Sequence, residues 1–263
     1  MSQYRPSHFN SIAPVVKNLI AINIILWLAS ILFPDILNRF GFNMDIKQIL
    51  GMHYWESNAF KYYQLITYMF LHADIQHIFF NMFSLYMFGT MLENVWGSKR
   101  FLLYYMVTGI GAGLIQQLFW TIEFGSTMDA FNNAIATNNG RLLEDCLTTI
   151  DNYLRIDDFS MLTRPDLIEL KKLLIGLPIT IGASGAVFGL LLAYGWSFPE
   201  TSMYIMFIPI PIKAKVLVFV YGALELFFGV AQFSGDNIAH FAHLGGMLFG
   251  AILLFYWKKK HIF

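Results

Sequence analysis

Six stretches of roughly twenty mostly apolar residues, 15–33, 75–96, 100–121, 179–197, 214–232 and 240–257, limit what this chain can become more than any other feature of its sequence. A hydrocarbon layer about 30 Å thick takes about 20 apolar residues of helix to cross, and among open structures only helices satisfy their own backbone polar groups there. Six helical crossings are therefore predicted, in an all-α polytopic membrane bundle. Charged residues make up only 13% of the chain, about half the share of an ordinary soluble domain, which agrees with lipid as the main solvent. The first stretch is long and lacks a convincing small-residue cleavage site, so it reads as a retained span behind a short segment, residues 1–14. Cys146 is the single cysteine, which excludes an intrachain disulfide.

Lys and Arg at the span ends give the orientation, because short cytoplasmic flanks hold the excess positive charge. Arg5, Lys17, Lys99, Arg100, Lys213, Lys215 and Lys258 to Lys260 are nine of the 17 basic residues, and all flank one side. Both termini are expected there, in the cytoplasm. The rest divides into spans one to three (15–121) with a long loop at 34–74, an insert at 122–178, and spans four to six with a basic tail (179–263). Loop 34–74 is rich in Trp and Tyr and is expected to lie in the membrane interface.

The insert holds nine acidic residues against five basic ones and reads as a solvated, extracytoplasmic helical unit. Residues 140–154 carry an apolar stripe at helical spacing, Pro165 is placed to open a short helix through Leu174, and Asn138-Asn139-Gly140 supplies a turn. There is no phosphate-binding glycine loop, metal-ligand cysteine set or basic nucleic-acid patch, so neither a cofactor, a metal nor a nucleic-acid partner is expected. Gly109, Gly111 and Gly113 in span three suit close helix packing.

Polar side chains inside a membrane are costly, and each is a candidate for function. Those here are His77 and Asn81 in span two, Ser184 in span four, Glu225 in span five, and His240 and His243 in span six. With both termini inside, spans two, four and six all run inward from the outer face. That brings His77, Asn81, Ser184 and His243 to one depth. His77 and Asn81, four apart, can point at one spot. Ser184, about five residues into its span, lies in Gly182-Ala183-Ser184-Gly185, where small residues admit another backbone. Gly246 and Gly250 after His243 allow span six to pack tightly on span four. No carboxylate stands out as a partner for His243, so a Ser-His dyad is expected. Glu225 reads more simply as a buried carboxyl bonded to a neighbouring helix, and His240 as a packing or solvent-contacting group.

These residues carry a resemblance. Gly182-Ala183-Ser184-Gly185, Ala242-His243-Leu244-Gly245-Gly246 through Gly250, and His77 followed by Asn81 resemble the GxSG, AHxxGxxxG and HxxxN motifs of the rhomboid family of intramembrane serine proteases, in the family's order. The resemblance implies a six-span rhomboid-like bundle in which Ser184 is the nucleophile, His243 the general base, and His77 and Asn81 stabilise the oxyanion. It implies transmembrane proteins as substrates, cut near the outer interface, with membrane lipid the other partner. Tyr63-Gln64 stands where relatives commonly have Trp-Arg, and Phe188 where they often place a Tyr that stacks on the base. Gly89, Glu93, Trp96 and Gly97 resemble a structural turn of the family.

Two other functions fit fewer of these residues. A catalytically inactive relative that binds membrane proteins would not need both Ser184 and His243. A small proton-coupled transporter could use His77, His243 and Glu225 as a relay. In the absence of a targeting peptide, the expected location is the plasma membrane of a bacterial-type cell.

Overall fold

The computed structural model describes residues 12–39, 45–146, 149–150, 153–154, 156, 158–205, 208–231 and 238–260. Most of the N-terminal segment, including Arg5, lies outside them, as do the last residue predicted for span five and parts of the insert. The apolar runs become helices: α1 (Pro14–Arg39), α4 (Ile75–Ser84) and α5 (Thr90–Trp96) joined by a π-helical turn at Leu85–Gly89, α6 (Ser98–Thr137), α8 (Ser184–Ser197), α9 (Ala214–Ala231) and α10 (His240–Lys259). Short helices α2 (Ile46–Leu50) and α3 (Gln64–Thr67) lie in the first loop and α7 (Arg164–Gly176) in the insert. Four helices are long and apolar enough to cross a membrane alone, Pro14–Phe33 in α1 with α6, α9 and α10. The other two predicted runs are the segmented helix from Ile75 to Trp96 and the 14-residue α8. The chain is an all-α, multi-pass membrane protein, with two small two-stranded ribbons and no closed sheet among the described residues.

At the centre α6, α8 and α10 pack against one another through missing side chains. A Cβ on Gly246 would overlap the Gly185 carbonyl oxygen, and one on Gly185 would overlap Ala112 of α6. Gly189 rests on Thr108, Gly111 on Phe249 and Gly250 on Tyr104. Of the span-three glycines, Gly111 serves helix contact, while Gly109 and Gly113 receive Met69, Met52 and Tyr68 of the first loop. At the opposite end of the bundle from Ser184, Glu93 is 3% exposed and accepts hydrogen bonds from the Val15 and Val16 amides (3.0 and 2.9 Å) and from Ser98 Oγ. It caps the positive end of α1 with a negative charge. Gly97, at φ +79°, turns the chain from α5 into α6. A ribbon β3 (Ser202–Ile205) with β4 (Ile208–Lys213) joins α8 to α9, and beside it Lys213 and Lys215 bond Glu200 and hold its carboxyl down to about 2.

Two predicted boundaries move. The helix of span three does not end at 121: Phe124, Met128, Phe131 and Ala134 continue a buried stripe at helical spacing, and α6 runs on until Asn138 enters the left-handed region at φ 53°. The insert therefore begins as a continuation of a membrane helix, and its Leu143, Ile150, Phe159, Leu167 and Leu174 are buried around that extension. Its expected helical stripe at 140–154 appears as a 3₁₀ turn over Gly140–Cys146, with 147–148, 151–152 and Arg155 outside the described residues. Span four does not begin at 179. Residues Ile179–Thr180 form β2, paired antiparallel with β1 (Met52–His53), and Gly182 at φ +133° breaks the path into α8.

The first loop is held by two glutamines. Gln64, 1% exposed, accepts from the His53 and Lys61 amides (3.3 and 3.1 Å) and donates to the Ile49 and Ala59 carbonyls (3.1 Å each). Gln117 of α6 accepts from the Trp55 amide (2.9 Å) and donates to the His53 carbonyl (2.7 Å), which ties the loop to the bundle. Gln64→Leu should strand the His53 and Lys61 amides and the Ala59 carbonyl, while the Ile49 carbonyl keeps its bond from Tyr63, each unmade bond costing about 1–3 kcal/mol. Thermal unfolding in detergent micelles is expected to show a midpoint well below wild type for Gln64→Leu. Tyr63→Phe, which removes one exposed bond to the Ile49 carbonyl, should stay close to it.

Candidate active site

Ser184 is the first residue of α8, where the sequence pattern places it some five residues inside a helix. The difference matters chemically. Its N-cap is Ala183, which has no side chain able to cap, so the first-turn N–H groups have neither an intrahelical partner nor a side-chain one. The amide of Gly182 donates to the Tyr68 carbonyl (2.9 Å), anchoring the turn that delivers the serine.

His243 lies one turn into α10, and the Gly246 contact with Gly185 sets its reach. Its Nε2 is 2.8 Å from Ser184 Oγ. The ring stacks on Phe188, one turn after Ser184, with centroids 4.3 Å apart and planes 8° from parallel, so the stacking expected at this position is present. On the far side of the ring, Nδ1 lies 2.9 Å from Glu225 Oε2 of α9. This corrects the expectation that no carboxylate is placed to orient His243. The same oxygen is 2.6 Å from Nδ1 of His240, which is 8% exposed. Bonded to an ionised carboxylate, which only accepts, Nδ1 of His243 would carry the proton and leave the Nε2 lone pair facing the serine hydroxyl.

Asp74 caps α4 through the His77 amide (2.8 Å) and fixes the helix start that carries His77 and Asn81. The Ala73 N–H donates to His77 Nδ1 (3.3 Å), which in a neutral ring leaves the proton on Nε2. A Cβ on Gly182 would lie 2.8 Å from His77 Nε2 and 3.5 Å from Ser184 Oγ, so hydroxyl and imidazole flank one small space. Asn81 Nδ2 spends one N–H on the His77 carbonyl (3.0 Å). All four predicted residues, Ser184, His243, His77 and Asn81, line one cavity of about 530 Å³, with Phe80 and Val187 among its apolar walls.

Glu225, His240 and His243 could also be viewed as metal ligands, since their donor atoms lie within 4.8 Å of one another. The two Nδ1 to Oε2 separations are hydrogen-bond lengths, shorter than the roughly 3.3 Å between ligands on a tetrahedral zinc with bonds of about 2.0 Å. As it stands the cluster is a shared hydrogen bond. A depth count could have found it from sequence: Glu225 is six residues from the end of α9 and His243 three from the start of α10, on adjoining antiparallel helices.

A family model described as the Rhomboid domain matches residues 59–123 and 160–260, which takes in Glu225, His240 and the four cavity residues. Over 93 residues the chain is 42% identical to "RHOMBOID-like protein 6, mitochondrial" of Arabidopsis thaliana, a match covering 35% of this chain and 29% of that protein. It is 37% identical over 59 residues to "Rhomboid protease GluP" of Bacillus subtilis (22% and 12% covered). With "Rhomboid protease GlpG" of Haemophilus influenzae it shares 28% identity over 78 residues (30% and 41%). The chain spans less than half the length of each of these relatives.

The hydrogen bonds assign opposite tautomers to the two histidines. Nitrogen-15 spectra of histidine-labelled protein at neutral to mildly alkaline pH are expected to show His243 protonated on Nδ1 and His77 on Nε2, each signal identified by its loss in the matching Ala variant. An Nε2–H form at His243 would contradict the hydrogen bonding described above.

Proposed function

The chain belongs to the rhomboid family, and from that premise we propose that it is an intramembrane serine endopeptidase that cleaves transmembrane proteins near the outer membrane interface. The contact between His243 Nε2 and Ser184 Oγ, made at the open start of a helix and facing a cavity, is the observation that carries this reading. Ser184 Oγ attacks the scissile carbonyl while His243 Nε2 takes its proton. The tetrahedral oxyanion is met by the free N–H groups at the start of α8, by His77 Nε2–H and by the second N–H of Asn81. Collapse breaks the C–N bond, and His243 returns the proton to the leaving amine. Water, activated by the same imidazole, then releases the acyl group. A substrate helix must unwind where it is cut, since an intact helix keeps its carbonyls engaged.

In this reading the termini are cytoplasmic, the membrane is a plasma membrane, and the acidic insert lies on the outer side with Ser184. The β1–β2 pairing supports the last point, because the strand following the insert leads directly into the serine turn. An inactive binding factor has no use for a hydroxyl and an imidazole at 2.8 Å.

A fluorophosphonate probe should label Ser184 in the membrane-embedded protein. Ser184→Ala and His243→Ala should each abolish cleavage of a transmembrane reporter, and the double variant should lose little more, since the pair acts as a unit. Absence of labelling combined with proton-coupled flux in liposomes would favour the relay reading instead.

His77→Ala and Asn81→Ala are expected to lower kcat by about 100 to 1,000-fold each while the serine remains labelled, the usual cost of one oxyanion donor. Wild-type turnover in both would leave these residues as helix contacts only.

A further inference from the structure

We propose that Glu225 is a positioning residue that completes a Ser184–His243–Glu225 triad and is itself held by His240, so that α9 takes part in orienting the base. The proposal rests on the protease reading above. Its observations are independent of the family motifs, which include neither Glu225 nor His240.

An imidazole acting as general base has to keep one nitrogen unprotonated and aimed at the serine. Stacking on Phe188 fixes the plane of the His243 ring but leaves its tautomer open. Glu225 Oε2, 2.9 Å from Nδ1, fixes the tautomer, because a carboxylate offers only acceptors. It also stabilises the imidazolium that forms when the serine gives up its proton. A carboxylate at this depth is costly, and one partner would leave lone pairs unused. His240, one turn before His243, brings its Nδ1 to 2.6 Å from the same oxygen, a second hydrogen bond. The His240 ring is in turn stacked on Phe228, three residues after Glu225, at 5.7 Å and 22°. Glu225 and Phe228 on α9 thus interlock with His240 and His243 on α10. The carboxylate is held between the two imidazoles rather than left to swing on a three-bond side chain.

A purely structural hydrogen bond between α9 and α10 would make the same contacts, so the test must read chemistry. In full-length protein in lipid nanodiscs, with a transmembrane reporter, Glu225→Gln is expected to lower kcat by about 100 to 10,000-fold, as when a triad carboxylate becomes an amide that favours the wrong tautomer. KM should stay within about twofold, and Glu225→Asp should recover part of the loss. His240→Ala should cost about tenfold in kcat, since it loosens the carboxylate without removing it.

A kcat for Glu225→Gln within threefold of wild type would overturn the proposal. Should the variant fail to fold, the wild type decides alone. Its His243 Nδ1 proton should resonate far downfield, as one bonded to a carboxylate, and its absence from folded, probe-reactive protein would equally overturn the assignment. Failure of Ser184 to react with the probe in wild-type protein would instead remove the protease reading itself.

Discussion

The backbone of α10 touches the backbone of α8, and the candidate site exists because of that approach. Gly246 faces the Gly185 carbonyl with no room for a Cβ between them. Any side chain there would push the helices apart by more than a hydrogen bond tolerates, and the 2.8 Å contact between His243 and Ser184 would be lost. Gly185 against Ala112 applies the same constraint to α6, so three helices are fixed relative to one another before any polar contact is made. Helices in lipid gain little from burying apolar surface against each other. Close packing of small residues is what holds them in register.

Given that frame, several of the buried polar side chains are matched with partners. Glu93 takes two amides at the start of α1 and the Ser98 hydroxyl at the start of α6. Gln64 and Gln117 use both ends of their amides on loop backbone. Glu225 divides one oxygen between two imidazoles. The contrast lies at Ala183, where a serine, threonine or aspartate would usually cap the helix, and where the first-turn amides of α8 stay uncapped beside a cavity.

Much of this was legible in the amino-acid order. Apolar runs placed the crossing helices, and the shared depth of His77, Asn81, Ser184 and His243 followed from counting residues along antiparallel spans. Helix ends were less accessible. Hydropathy does not register that Ile179 and Thr180 pair with His53 and Met52, a contact across more than a hundred residues of chain, so Ser184 was expected inside a helix rather than at its start. Nor does it separate a membrane helix from a soluble extension with the same apolar stripe, which is why α6 outran its predicted end. Glu225 was read as a structural carboxyl because its partner depends on rotation of α9 about its own axis, and mean hydropathy carries no information on rotation. The Tyr63-Gln64 departure was visible, but that Gln64 could gather four backbone groups needed the folded loop.

The uninterrupted 40 residues of α6 have a mechanical consequence. At 1.5 Å per residue such a helix is about 60 Å long, roughly twice the thickness of the hydrocarbon layer. Its C-terminal portion belongs to the insert, while Gly111 and Ala112, about a third of the way along it, press on Phe249 and Gly185. No hinge glycine at positive φ and no proline separates the two regions. The helix is a lever with its fulcrum among the packed small residues, and a sideways load on the insert becomes a torque at the contacts that set the distance between serine and imidazole.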